Sequence, residues 1–165
     1  MMRAEVMERD KTMEFRISTH AFGDGGLIPL KYTCGGADVS PELSWSEPPE
    51  GTKSLVLIVE DQDAPSGIWY HWLVWNIPGH AGGIWEHVAP TDKLPGGMMQ
   101  GGNSFGKMGY SGPCPPLGQA HRYFFKLYAL DTLLELPAGA SHLQLKHAMR
   151  GHVKGETEWM GRYGR

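Results

Sequence analysis

The sequence predicts a mainly β domain, a sandwich-like arrangement of strands with one helix packed on a side or end. Three observations carry that reading. The 165 residues include 23 glycines and 12 prolines, a composition that turns often and weakens helix interiors. Three long apolar runs, at 54–60, 69–77 and 121–130, are rich in β-branched and aromatic residues. Only the tail carries a helix signature. The length fits one domain, read as residues 13–165, after a disordered extension over 1–12, and Met13 competes with Met1 as the start.

In chain order, 14–18 reads as a short first strand, Gly23–Gly26 as a turn, and 27–32 as extended around Pro29. Ser40-Pro41 opens an extended piece through Leu43 and Trp45, and Pro48–Gly51 is a turn. The run 54–60, SLVLIVE, is apolar without alternation, so both faces of that strand should be buried. The run 69–77, WYHWLVWNI, is a second long strand, stopped by Pro78-Gly79. Joined through 61–68, the two fit a hairpin with a wide loop. Residues 78–117 read mostly as glycine-rich loop, and so long a loop in a compact domain is usually functional. HRYFFKLYAL, 121–130, is the third strand. Ser141-x-x-Gln144 is a capping box. Leu145, Ala148, Met149, His152, Val153 and Trp159 then recur at helical spacing, which predicts a helix over about 142–160, weakened by Gly151 and Gly155.

The net charge of −3 excludes a strongly basic nucleic-acid binder. No apolar run is long enough for a transmembrane segment, and the charged N-terminal stretch lacks a signal peptide's apolar region, so a cytoplasmic location is expected. Two cysteines, Cys34 and Cys114, are too few for a secreted disulfide scaffold. The stretch 101–107, GGNSFGK, satisfies G-x-x-x-x-G-K, but Met108 stands where a phosphate-binding loop needs Ser or Thr, and 109–112 cannot open a helix. Cys34, Cys114, Asp61, Asp63, His71 and His121 are metal-capable types without ligand spacing, so neither metal nor cofactor is predicted.

Candidate chemistry gathers elsewhere. Asp61 and Asp63 stand at the exit of the buried strand, two apart; they could share one face, or serve as turn residues. His71 lies near Asp61 if the strands form a hairpin, and a carboxylate beside an imidazole fixes its tautomer or raises its pKa; a structural histidine is the alternative. In 109–116, GYSGPCPP, prolines remove donors, leaving Gly112 and Cys114 as N–H suppliers for an anion, or a rigid loop with no ligand. His121 and Tyr123 alternate onto one strand face and Arg122 onto the other.

Together these segments resemble the phosphatidylethanolamine-binding proteins, also called Raf-kinase-inhibitor-like proteins. The likeness is densest on Asp61-x-Asp63-Ala64-Pro65, Trp69-x-His71-Trp72, Gly109-Tyr110-x-Gly112-Pro113-x-Pro115-Pro116 and His121-Arg122-Tyr123. Tyr32-x-Cys34-Gly35-Gly36, Ser40-Pro41-x-Leu43-x-Trp45 and Gly102-Asn103-x-Phe105-Gly106-Lys107 support it, so it covers about 14–162. The shorter loops resemble the bacterial and archaeal branch. The resemblance implies a β-sandwich of two antiparallel sheets, here with a C-terminal helix, and a pocket at one end for phosphate, a phospholipid headgroup or a similar small anion. Carried over, Asp61, His71, Gly112, Pro113, Cys114 and Tyr123 bind the ligand, with Asp63, Pro65, Trp69 and His121 supporting. Gln62 departs from the family's frequent proline, and Tyr70 stands where some relatives carry a second histidine. The implied activity is non-enzymatic and regulatory. The rivals are an inhibitor or scaffold of a protease or kinase, and a small-molecule enzyme using Asp61, His71 and Tyr123. The motifs holding Cys34 and Cys114 bring them near the mouth of the site, where they could be bonded or free; a bond would be unusual in a reducing cytoplasm. A homodimer is expected, because relatives often pair and because six tryptophans, nine methionines and a large aromatic share exceed what one small sandwich must hide, which makes Trp75, Trp85, Met98, Met99 and Trp159 candidates for an exposed apolar patch.

Overall fold

The structure, a computed structural model, describes residues 15–165. The expected extension over 1–12, the alternative start at Met13 and the first residue of the expected 14–18 strand lie outside the described residues.

Strands β1 (Ile17–Ser18), β3 (Leu43–Trp45) and β6 (Gly83–Ile84) form a small antiparallel sheet in the order β1-β3-β6. The large sheet runs β2-β9-β8-β4-β5-β7, from β2 (Gly26–Leu27), β4 (Ser54–Asp61), β5 (Trp69–Ile77), β7 (Met99–Gln100), β8 (His121–Leu130) and β9 (Val153–Tyr163). Its pairings are antiparallel except β2 with β9, which is parallel. The single α-helix among the described residues is α1 (His142–Met149). No helix among them is long and apolar enough to cross a membrane.

The apolar run of β4 follows from its place at the centre. Leu55, Leu57 and Val59 face the core between the two sheets, with Ile17, Leu43, Trp45 and Phe125. Val56 and Ile58 face the opposite side, under Leu145 and Met149 of α1. Both faces of β4 are therefore dry, and alternation disappears. β5 is arranged in the same way, with Trp72 and Val74 on one side and Leu73 and Trp75 on the other.

Three expectations are corrected. First, Leu30–Tyr32 form a 3₁₀ turn after Pro29 and are not extended. Second, the helix predicted over 142–160 stops at Met149, and 153–163 is strand β9. The capping box does open α1: Ser141 Oγ accepts from the Gln144 N–H at 3.2 Å and Gln144 Oε1 accepts from the Ser141 N–H at 2.9 Å. Gly151 then takes φ +79°, which turns the chain out of the helix. Beyond it β9 pairs with β8 from Leu130–Val153 to His121–Tyr163, satisfying an edge that a helix would leave bare. Gly161 fits this packing, since a Cβ there would lie 2.5 Å from Ile28 Cγ1. Third, the apolar patch expected to mark a dimer face does not assemble. Trp75 packs under α1 and Met98 lies in the inter-sheet core, Met99 and Trp159 are half-buried, and Trp85 alone of the five is exposed.

Candidate functional site

Because β4, β5 and β8 are adjacent, their ends bring distant residues into one row: Asp61 pairs with Trp69 on one side and Tyr123 on the other. The β4–β5 register slips between Val59–Trp72 and Glu60–Tyr70, which makes His71 the extra residue of a β-bulge. Bulges re-aim side chains. Here the His71 ring sits edge-on to Tyr123 at 5.2 Å and to Phe105 at 5.3 Å between centroids.

These residues surround a cavity of about 220 Å³, lined by Asp61, Ala64, Pro65, Ser66, Trp69, His71, Phe105, Cys114, Pro115, Pro116, His121 and Tyr123. That is smaller than a drug-sized pocket and suits an ion or a small headgroup. A wider depression of about 570 Å³ around Pro48, Pro49, Glu50 and His80 has no unpartnered buried polar side chain in its lining, whereas the smaller cavity does.

The polar groups are wired so that some remain free. His71 Nδ1 lies 2.6 Å from the Ser111 carbonyl. A carbonyl only accepts, so Nδ1 carries the proton and Nε2 of the neutral ring is a bare acceptor. Burial pushes the His71 pKa below the usual imidazole value, against the pull of the Ser111 carbonyl and the Asp61 charge. His121 Nδ1 lies 2.6 Å from Asp61 Oδ2, and Asp61 Oδ1 accepts from the Asp63 N–H at 2.8 Å. The carboxylate–imidazole pair is thus Asp61–His121, where the hairpin argument had predicted Asp61–His71; the Nδ1 of His71 is already taken by the 109–116 loop. The Tyr123 side chain is fully buried and its hydroxyl makes no hydrogen bond of ordinary geometry among the described residues, although the Asp61 carboxylate lies close to it. Burial first, and the Asp61 charge second, push its pKa up, so it keeps its proton and is a donor.

Asp63 does not share a face with Asp61. It forks onto the Arg122 guanidinium, with Nε–Oδ2 and Nη2–Oδ1 both 2.9 Å, and accepts from the Arg122 N–H. The hydrogen bond from Arg122 holds its carboxyl below the usual range. Its work is to pin the 61–67 loop to β8 outside the cavity. Gly112 and Pro113 also stand outside the lining. The Gly112 N–H, expected to face an anion, donates instead to Asp38 Oδ1 at 2.7 Å, and the Pro113 carbonyl accepts from the Cys34 N–H. Cys114 does line the cavity, and its N–H has no protein acceptor among the described residues. Its sulfur is bonded to Cys34, with the Cα atoms 5.4 Å apart. Pro65, Trp69 and His121 lie in the lining as well. Phe105, Pro115 and Pro116 complete the wall; the motifs contained them, but their lack of polar chemistry hid their place in it.

Fold and cavity together define a class: a two-sheet β protein with a small pocket of mixed polar and apolar lining at the ends of its central strands. The chain matches the phosphatidylethanolamine-binding protein family over residues 18–164 and belongs to it. It is similar to the UPF0098 protein of Methanothermobacter thermautotrophicus, 52% identical over 149 residues that span 90% of this chain and 98% of the relative. The UPF0098 protein of Aquifex aeolicus is 43% identical over 151 residues, covering 90% and 88%. Among solved structures it is similar to a phosphatidylethanolamine-binding protein homologue from Chlamydia trachomatis, with a TM-score of 0.84, 40% identity, and 93% and 99% of the two chains covered. Escherichia coli YbcL, described as a new member of the mammalian family, gives a TM-score of 0.86 at 33% identity, covering 92% and 99%.

Proposed function

We propose that the pocket binds inorganic phosphate or the phosphate of a phosphorylated headgroup, as a ligand held without turnover. The observation that carries this reading is the buried, unpartnered Tyr123 hydroxyl in the cavity wall. A buried donor left alone costs about 1–3 kcal/mol, and an oxyanion would satisfy it. The Cys114 N–H is a second free donor. Both lining histidines have Nδ1 engaged, which leaves Nε2 for the ligand. Among the described residues, neither lysine nor arginine lines the cavity. Phosphoryl transfer relies on a cationic clamp, so the donor set suits modest binding better than chemistry. The family's name, which speaks of a phospholipid headgroup, fits the same donors.

Titration calorimetry with phosphate and with phosphoethanolamine tests this. Wild type should bind weakly, and His71→Ala should lose about 1–3 kcal/mol of affinity, roughly 5- to 150-fold. Equal affinity of the two proteins overturns the assignment.

A second reading, an inhibitor or scaffold of a protease or kinase, is favoured by one feature. Ile68, Phe105 and Leu117 are exposed apolar residues on three loops that border the cavity. Such a rim suits a protein partner, which could be a second copy of this chain. Light scattering at micromolar concentration separates the homodimer from the monomer.

A further inference from the structure

We propose that the Cys34–Cys114 disulfide is a redox latch on the pocket: the bonded chain holds the wall that binds phosphate, and reduction loosens that wall. The proposal rests on the phosphate reading above.

The bond joins cysteines 80 residues apart, one of them in the cavity lining. On the upstream side the loop is tied redundantly to the 30–38 segment: Tyr110 Oη donates to the Tyr32 carbonyl, the Gly112 N–H to Asp38 Oδ1, and the Cys34 N–H to the Pro113 carbonyl. Those ties survive reduction. Downstream the position is different. Residues 114–120 have no helix or strand, and Pro115 and Pro116 have no N–H to donate. Beyond the disulfide, Arg165 supplies the ties there, its Nε donating to the Pro115 carbonyl at 2.8 Å and its carbonyl accepting from the Gly118 N–H at 3.1 Å. Cys114, Pro115 and Pro116 are three of the cavity-lining residues, so cutting the bond acts on the site more than on the sandwich. Both cysteines are only partly buried, and the chain has no third cysteine to compete. In a reducing cytoplasm, the location expected from the sequence, such bonds are usually transient or redox-sensing.

The reaction is thiol–disulfide exchange with a low-molecular-weight thiol. Its thiolate attacks one sulfur, forms a mixed disulfide and releases the other cysteine as a thiolate, which takes up a proton. The thiolate of a second small thiol then attacks the small thiol's sulfur in the mixed disulfide and releases the second cysteine as a thiolate, which is protonated, so one protein disulfide and two thiols give one protein dithiol and one small disulfide, a two-electron exchange.

The test equilibrates the full chain in glutathione buffers spanning the cytosolic poise and counts free thiols by alkylation and mass. Phosphate is then titrated into the bonded and reduced forms, and amide hydrogen exchange is followed without ligand. Reduction should weaken phosphate roughly tenfold, since only a fraction of the loosened wall is competent. It should also speed exchange at 114–120 while leaving β4 and β8 protected. The double variant Cys34→Ser, Cys114→Ser should behave like the reduced form. A pair that stays bonded across the buffers, or equal exchange at 114–120 in both forms, overturns the latch. If the bonded chain binds no phosphate, the ligand reading fails by itself, and the exchange comparison still decides the latch.

Discussion

Replacing Tyr123 with phenylalanine should separate binding from stability. The side chain is fully buried in the core between the sheets, and its hydroxyl makes no hydrogen bond of ordinary geometry among the described residues. Phenylalanine keeps the ring and its edge contact with His71, and removes only the oxygen. An unpaired buried hydroxyl costs about 1–3 kcal/mol, offset in the variant by a small void. We therefore expect the ligand-free variant to gain about 1 kcal/mol, roughly 2–4 °C in melting temperature for a domain of this size. A hydrogen bond to a charged partner contributes about 1.5–3 kcal/mol, so phosphate affinity should fall by roughly 10- to 150-fold. Scanning calorimetry without phosphate gives the first quantity and titration calorimetry the second. A lower melting temperature together with unchanged phosphate affinity would refute the reasoning, because the hydroxyl would then be a satisfied structural group.

Other perturbations read other parts of the site. The folded His71 pKa lies below the usual imidazole value, so on acidification the unfolded chain takes up that proton first; stability should fall as pH drops from about 6.5 toward the lowered value, and His71→Ala should flatten that slope in urea melts. Gly112→Ala would put a Cβ 2.2 Å from the Tyr32 carbonyl oxygen and 2.5 Å from Asp38 Oδ1, a clash with backbone that should cost more than about 2 kcal/mol; a thermal melt matching wild type would show that the loop yields. Asp63→Asn removes a partly exposed ion pair to Arg122 worth about 0.2–1 kcal/mol and should leave phosphate affinity within about twofold; a large loss would place Asp63 among the binding groups.

The long strands were legible because burial writes directly into composition: β4 and β5 are dry on both faces, and their apolar runs admit few other readings. The cavity's membership was partly legible for the same reason, since Asp61, His71 and Tyr123 sit where apolar runs end or are interrupted. What the sequence hid depends on who meets whom. The spacing of Leu145, Ala148 and Met149 is helical, and Val153 and Trp159 continue it by coincidence; the unpaired edge of β8 decides for a strand. Pairing Asp61 with His71 was the natural result of a hairpin, but a bulge and a loop carbonyl claimed His71, and β8 supplied His121. The N–H of Gly112 looked free because Asp38, 74 residues away, leaves no local signal.

The wiring of the pocket also constrains the kind of anion it can hold. Asp61 has Oδ1 on the Asp63 N–H and Oδ2 on His121, so the carboxylate is fixed in the wall and cannot swing out to make room. His71 is held with its proton on Nδ1, presenting a lone pair to the ligand. A fully deprotonated phosphate would set its oxygens against both groups, whereas a phosphate that keeps one proton, or a headgroup with an ammonium, gives each of them a donor. Under the phosphate reading, the Tyr123 hydroxyl would then serve a remaining oxygen. On that reading, discrimination would come from this alternation of donors and acceptors around a small volume, because like charges repel at close range beside buried side chains while each complementary contact is modest. Under the phosphate reading, weak affinity and sharp dependence on the ligand's protonation state are two expectations from one arrangement: the buried ends of three adjacent strands.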